Sequence, residues 1–96
     1  SSDLLLQIEG TLMFWQGNFD SCKTLLGTIR IPSPISLVFL AAAEFHIGNT
    51  QVAKASVTKI ENEYGVTVQR LFAGESYRLD DMKAKFAPLF PIRQVA

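Results

Sequence analysis

The feature that most constrains this fold is an internal repeat with an offset of 31 residues. The pair Gly17-Asn18 recurs as Gly48-Asn49, and the small and apolar residues around each pair recur at the same offset. The other matched positions are Gly10 with Ala41, Phe14 with Phe45, Cys22 with Ala53, Leu26 with Val57, and Ile29 with Ile60. Each copy is an apolar segment, a glycine break and an amphipathic segment, a pattern typical of two helices joined by a tight turn. We therefore predict an all-α fold built from two antiparallel helical hairpins.

Caps and breakers set the bounds of four helices, which we predict over 3–16, 18–30, 34–47 and 50–64. Pro32 is expected to close the second helix because its ring cannot continue the hydrogen-bond ladder. Ser33 is expected to cap the third helix, with Pro34 at the first helical position, where a missing N–H costs nothing. Helical spacing also predicts two buried stripes: Cys22, Leu25, Leu26 and Ile29 in the second helix, and Val52, Ala53, Val57 and Ile60 in the fourth.

The repeat pattern fails after Gly65. Residues 66–70 alternate and are rich in β-branched side chains, which allows a strand, but an isolated strand would have no partner. We therefore predict a short helix through Phe72. Beyond it we expect a loop over 73–76, a last short helix from about Leu79 to Pro88, and a packed apolar tail over 89–92. The chain is then a single domain over 1–96, with repeat one at about 3–33, repeat two at about 34–65 and a C-terminal cap over 66–96.

Charge and hydropathy argue against several classes of partner. The 9 basic and 9 acidic residues cancel and form no run, so neither nucleic acid nor a membrane surface is expected as a partner. The longest nearly uncharged stretch, 31–43, has 13 residues, short of the ~20 that span a bilayer. The single Cys22 cannot form an internal disulfide, which favours a reducing, cytoplasmic compartment. Because the chain begins within the repeat pattern at Ser1, we expect it to be a fragment of a longer protein.

The two hairpins resemble the tetratricopeptide repeat, a helical hairpin of about 34 residues. The residues that carry the resemblance are the small Gly10 and Ala41 of each first helix, the turn pairs Gly17-Asn18 and Gly48-Asn49, the pairs Cys22/Leu26 and Ala53/Val57 of each second helix, and Pro34. The sequence departs from the family pattern at Leu6 and Leu37, where a large aromatic residue is usual, at Glu9 and Glu44, and in its spacing of 31 residues.

A second resemblance involves the segment LAAAEFHIGNTQVAKASVTKI and the later LDDMKAKF. Together they are similar to the terminal repeats of bacterial winged-helix regulators and of nucleotide-cyclase-like signalling proteins. This resemblance implies a regulatory or sensory role.

The tetratricopeptide resemblance implies a concave, partner-binding groove made by the first helix of each repeat. The corresponding residues are Leu4, Gln7, Thr11, Phe14 and Trp15 in repeat one, and Ile35, Val38, Ala42, Phe45 and His46 in repeat two. This face is apolar and nearly uncharged, which suits an apolar peptide or helix. Three occupants remain open: the chain's own segment 86–92 folded back, a second copy in a homodimer, or another protein.

Two single residues have both a chemical and a structural interpretation. His46, the only histidine, is either a pH-sensitive contact beside Phe45 and Trp15 or a helix-end residue without a special role. Cys22 is either a reactive thiol in the first turn of a helix or a buried contact where helices cross. With one histidine and one cysteine, no ordinary zinc site is expected. No convergent carboxylates, nucleophile–base pair or phosphate-binding loop is recognisable, so we expect no enzyme and no cofactor.

The sequence therefore favours a non-enzymatic protein–protein interaction module. Its expected setting is a regulatory, sensory or oligomerisation domain of a bacterial signalling or transcription-regulatory protein. The alternative is a free-standing adaptor or chaperone that binds an apolar helix of a client protein.

Overall fold

The fold is all-helical in the residues that the computed structural model describes, namely 2–65, 67–72 and 85–86. These residues form five α-helices and no strand: α1 (Ser2–Trp15), α2 (Phe19–Gly27), α3 (Pro34–Ile47), α4 (Thr50–Tyr64) and α5 (Val68–Phe72). The predicted all-α class and the short helix through Phe72 are confirmed. The predicted loop over 73–76 and tail over 89–92 lie outside the described residues, as does the last predicted helix except at Lys85 and Phe86.

The third and fourth helices have the predicted bounds, but the second ends before Pro32. It ends at Gly27 because its last turn tightens: the Thr28 N–H donates to Leu25 O and the Ile29 N–H to Leu26 O, both at 3.3 Å. The Thr28 hydroxyl also donates to Leu25 O at 2.8 Å. These three-residue bonds satisfy the last carbonyls and stop the α-helical ladder. Pro32 therefore lies in the connection, while Ile29 still turns inward and is buried.

The two Gly-Asn turns have the same backbone hydrogen bonds, so the sequence repeat is also a structural one. Gly17 and Gly48 both take a left-handed conformation, with φ of 82° and 108°. Each glycine N–H donates three residues back, at 3.0 Å, and each following asparagine N–H donates five residues back, at 2.9 Å. This bonding is the Schellman arrangement, which ends a helix on a residue able to adopt positive φ.

Close packing joins the helices into two hairpins, α1 with α2 and α3 with α4, and α2 also packs against α3. Gly10 allows α2 to approach α1, since a methyl group at Gly10 would lie 2.6 Å from Leu26 Cγ. At the start of α3, Ser33 caps the helix by accepting a hydrogen bond from the Ser36 N–H at 3.2 Å. The predicted cap with Pro34 behind it is therefore confirmed.

One residue of the predicted stripe in α4 lies outside the core. Ala53, Val57 and Ile60 are buried, whereas Val52 is 54% exposed. The buried positions recur at i, i+4 and i+7, a narrow stripe that Val52 flanks. The prediction that Val52 points inward was therefore wrong.

Candidate interaction surfaces

Aromatic rings fill the space between α1 and α3 where the concave groove was expected. Phe86 is fully buried, and its ring centroid lies 4.9 Å from Phe14, 5.4 Å from Phe39 and 5.8 Å from Trp15. We call these four residues the aromatic cluster. Edge-to-face and tilted contacts of this kind add to the free energy gained by burying the rings. At Phe86, the chain itself occupies the groove.

His46 and Phe19 hold the backbone beside Phe86. The His46 Nε2 lies 2.7 Å from the carbonyl oxygen of Lys85, to which its N–H donates. The imidazole stacks on the Phe19 ring, with centroids 4.2 Å apart and an interplanar angle of 10°. Lys85 Nζ lies 5.5 Å from the centroid of the same phenyl ring, within range of a cation–π contact. His46 therefore has a structural partner rather than an open position for a ligand.

The ten groove residues predicted from the resemblance differ in burial: Leu4 is 56% exposed and Ile35 is partly buried. Phe14, Val38 and Ala42 are fully buried, whereas Trp15, Phe45 and His46 are partly buried. Gln7 and Thr11 are also partly buried and bind their own chain: Gln7 Oε1 accepts from the Ser33 hydroxyl at 3.1 Å, and the Thr11 hydroxyl donates to Gln7 O at 2.9 Å. In this arrangement a partner cannot contact the three fully buried side chains.

Glu44 is a buried carboxylate that ties α2 to α3. One carboxylate oxygen lies 2.9 Å from Lys23 Nζ, and the other accepts from the Asn49 side-chain amide at 2.8 Å. Burial alone would raise the pKa of Glu44, but the hydrogen bonds from Lys23 and Asn49 and the lysine charge together hold it below its usual value. The side chain is therefore an ionised structural link at neutral pH.

Cys22 occupies a buried packing position. Its side chain is fully buried, and burial raises the pKa of the thiol to about 12. At neutral pH it is therefore protonated and a poor nucleophile. The interpretation as a packing contact between helices agrees with this position. Among the described residues, no group of three or more histidine, cysteine, aspartate or glutamate side chains could hold a metal ion.

Helix α1 carries an exposed apolar face that was not predicted from the sequence. Leu5, Ile8 and Leu12 are 61%, 54% and 50% exposed. Their spacing of i, i+3 and i+7 places them on one side of the helix, and we call these three residues the α1 face. The sequence analysis assigned none of these three residues to a surface, and Leu4, which it placed in the concave groove, is also exposed, at 56%.

The repeat pairs the α1 face with a buried face of α3. The residues 31 positions later are Ser36, Phe39 and Ala43, and all three are buried, at 1%, 0% and 0% exposure. Phe39 contacts the rings of Phe14 and Trp15 in α1. It also contacts the ring of Phe86. Phe39 is therefore covered by α1 and Phe86, whereas its equivalent Ile8 is 54% exposed.

A second, outer groove runs between α3 and α4 and has a volume of about 590 Å³. Its apolar lining includes Ile31, Leu37, Leu40 and Val52, and its rim carries charges of both signs at Arg30, Glu44, Lys59 and Glu63. Ile31, at 84% exposure, is the most exposed large apolar residue in the described part of the chain.

No helix in the described ranges is long and apolar enough to cross a membrane. Comparison with protein-family models, with curated proteins and with solved structures finds no match to this chain. The candidate interaction surfaces are therefore the α1 face and the two grooves.

Proposed function

We propose that this chain is a non-enzymatic protein–protein interaction module of the tetratricopeptide kind, and that it binds a partner protein through the α1 face. The single observation that carries the proposal is the exposure of Leu5, Ile8 and Leu12 on one side of a helix, at 50% or more each. Contiguous apolar surface of this kind is typical of a protein-binding site. The proposed setting is a regulatory or oligomerisation domain of a bacterial signalling or transcription-regulatory protein.

The aromatic cluster supports the choice of the α1 face over the concave groove. A client helix in that groove would have to displace the Phe86 ring, which is fully buried. It would also break the hydrogen bond between His46 and the Lys85 carbonyl. No such cost applies to the α1 face, so the adaptor that holds a client in its groove is the weaker alternative.

The test compares three forms of the immobilised chain: the native form, Leu5→Glu with Ile8→Glu, and Val52→Glu as a matched control. Val52 is 54% exposed, the same as Ile8, but lies on α4. Substitutions at such exposed positions change stability by about 0.5 kcal/mol or less. We expect a protein from the producing cell to be retained by the native form and by Val52→Glu, and to be lost with the double variant.

A purified sample of the retained protein should then bind with the same dependence on the α1 face, as measured by calorimetry. Equal retention by all three forms, or equal loss with Val52→Glu, would contradict the proposal. Circular dichroism of each form checks that helix content is unchanged.

A further inference from the structure

We propose that two copies of this chain associate through their outer grooves, with Ile31 of each copy entering the outer groove of the other. This inference goes beyond the proposed function, which concerns the α1 face. In the described part of the chain, exposed large apolar side chains occur in two places. Four of them lie in α1, and the other three, Ile31, Val52 and Tyr64, all line the outer groove. Exposed apolar side chains gathered around one concavity are typical of a binding surface.

The shape of this surface is complementary to itself, because it carries both a projection and a depression. Ile31 projects from the connection between α2 and α3 and is 84% exposed. The groove beside it has a volume of about 590 Å³ and is lined by the partly buried Leu37 and Leu40 of α3. Pro32 restricts the backbone of Ile31, so little conformational freedom is lost when the side chain docks. A two-fold contact uses the same patch on both copies and requires this kind of self-complementarity.

The charges of the outer groove are also complementary to themselves. Glu44 is already paired with Lys23, the only ion pair among the described residues. Arg30, Lys59 and Glu63 are exposed and thus have no ionic partner in that part of the chain. Because Arg30 precedes Ile31, entry of Ile31 into the second groove brings Arg30 to the rim on which Glu63 lies. We therefore expect Arg30 of each copy to pair with Glu63 of the other.

The α1 face is less suited to a second copy. The only charged residues of α1 are Asp3 and Glu9, and like charges across an interface oppose association. No residue of α1 lines the outer groove in the described part of the chain. A dimer formed through the outer grooves therefore leaves both α1 faces available, and two linked faces bind a multivalent partner more tightly than one.

Sedimentation of the whole chain over about 1–100 µM tests the proposal. We expect the native chain to sediment as a dimer, and Ile31→Asp to weaken dimerisation by about 30-fold or more, as expected for a central apolar contact. Ile8→Glu is the matched control, since Ile8 is also more than half exposed but lies on the α1 face, and it should leave the dimer intact. Circular dichroism checks that both variants keep their helix content.

Charge reversal supplies a second measurement that a loss of folding cannot imitate. Arg30→Glu and Glu63→Arg should each weaken the dimer by about tenfold, because each brings like charges together across the interface. An equal mixture of the two variants should dimerise nearly as well as the native chain. In the mixed dimer, the two reversed charges face each other at one contact and the two native charges face each other at the second.

Three results would overturn the proposal. The first is a native chain that sediments as a monomer throughout, which would leave the chain's own residues, a small apolar ligand or another protein as the occupant of the outer groove. The second is a dimer that Ile8→Glu dissociates or that Ile31→Asp leaves intact. The third is a mixture of the two charge-reversed variants that associates no better than either variant alone.

The sedimentation and retention experiments separate this inference from the proposed function. A monomeric native chain that still loses a bound protein with Leu5→Glu and Ile8→Glu would contradict the dimer and leave the interaction module standing. A dimer whose immobilised variants all retain the same proteins would support the outer-groove contact and contradict recruitment through the α1 face. Val52→Glu should weaken the dimer and still retain the protein that binds the α1 face, because Val52 lines only the outer groove.

Discussion

Helices α1 and α3 begin two copies of the same hairpin, yet they differ in what covers them. Both end in a glycine with positive φ and the same pair of backbone hydrogen bonds. Ser36, Phe39 and Ala43 of α3 are buried, and Phe39 contacts Phe14 and Trp15 of the first hairpin, whereas the equivalent residues of the α1 face are at least 50% exposed. The local sequence thus determines the helix and its end, while burial depends on the presence of a neighbouring hairpin.

The same comparison holds at the ends of the two helices. Asn49 donates its side-chain amide to the Glu44 carboxylate at 2.8 Å, and the equivalent Asn18 donates to the Met13 sulfur at 3.8 Å. Only α3, which packs against a helix of the other hairpin, carries a carboxylate at this position, and that carboxylate also binds Lys23 of α2. The charged link therefore occurs where two hairpins meet, and a weak thioether contact replaces it where they do not.

The largest expected effect separates the two faces directly. Phe39→Ala should lower the free energy of unfolding by about 3–5 kcal/mol, because it removes a fully buried ring and leaves a cavity. Ile8→Ala, at the equivalent position of α1, should cost less than about 1 kcal/mol because half of that side chain is already in water. Urea unfolding of both variants measures the difference. Losses that agree within the fitting error would mean that the two faces are equally covered.

An intermediate effect is expected at the crossing of α1 and α2. Gly10→Ala should destabilise by about 1–3 kcal/mol, because the added methyl would overlap the buried Leu26 side chain. Gly27→Ala is the matched control, since a methyl group there meets nothing within 4 Å and should stabilise by about 0.5 kcal/mol. Thermal unfolding of Gly10→Ala and Gly27→Ala measures the two changes in stability. The second hairpin tolerates an alanine, Ala41, at the equivalent position of α3. If Gly10→Ala is as stable as the native chain, α2 does not approach α1 as closely as the structure shows.

The smallest effect concerns the charged link and depends on pH. Folding lowers the pKa of Glu44, so its contribution to stability is present above the ordinary carboxyl pKa of about 4.3 and is lost as pH falls through the folded value. Glu44→Gln should cost about 1 kcal/mol or less at pH 7, since Lys23 is half exposed. Unfolding followed at pH 7 and at pH 3 should show the native chain losing more stability than Glu44→Gln. Parallel losses would show that Glu44 is not stabilised as an anion.

The positions of the helices and turns could be predicted from the sequence, whereas the neighbours that bury each helix could not. The Gly-Asn pairs, Ser33 and Pro34 act through local backbone geometry, so the turns, the capped start of α3 and the bounds of α4 could be predicted. The early end of α2 could not, because it depends on three-residue hydrogen bonds at Thr28 and Ile29 rather than on a breaker.

Helical periodicity predicted which side chains are buried only for helices that pack against neighbours on both sides. The stripe of α2 that includes Cys22 and Leu26 is buried as expected, but Val52 lies outside the core of α4. Phe86 occupies the groove through a contact with Phe14, a residue far away in the sequence. Helical periodicity describes only local spacing, so it could not determine whether segment 86–92 or another occupant fills the groove. Helical periodicity places Leu5, Ile8 and Leu12 on one side of α1. That this side is uncovered becomes clear only when α1 is compared with α3.

Amide hydrogen exchange at Ile8 and Phe39 in the native chain measures directly whether the α1 face is uncovered. These residues are repeat equivalents in the middle of their helices, so differences in sequence position and helix end effects are small. We expect Ile8 to exchange at least about tenfold faster than Phe39, because α1 packs on one side and α3 on both. Equal protection at the two amides, independent of protein concentration, would show that α1 is held as firmly as α3 and would contradict an uncovered α1 face.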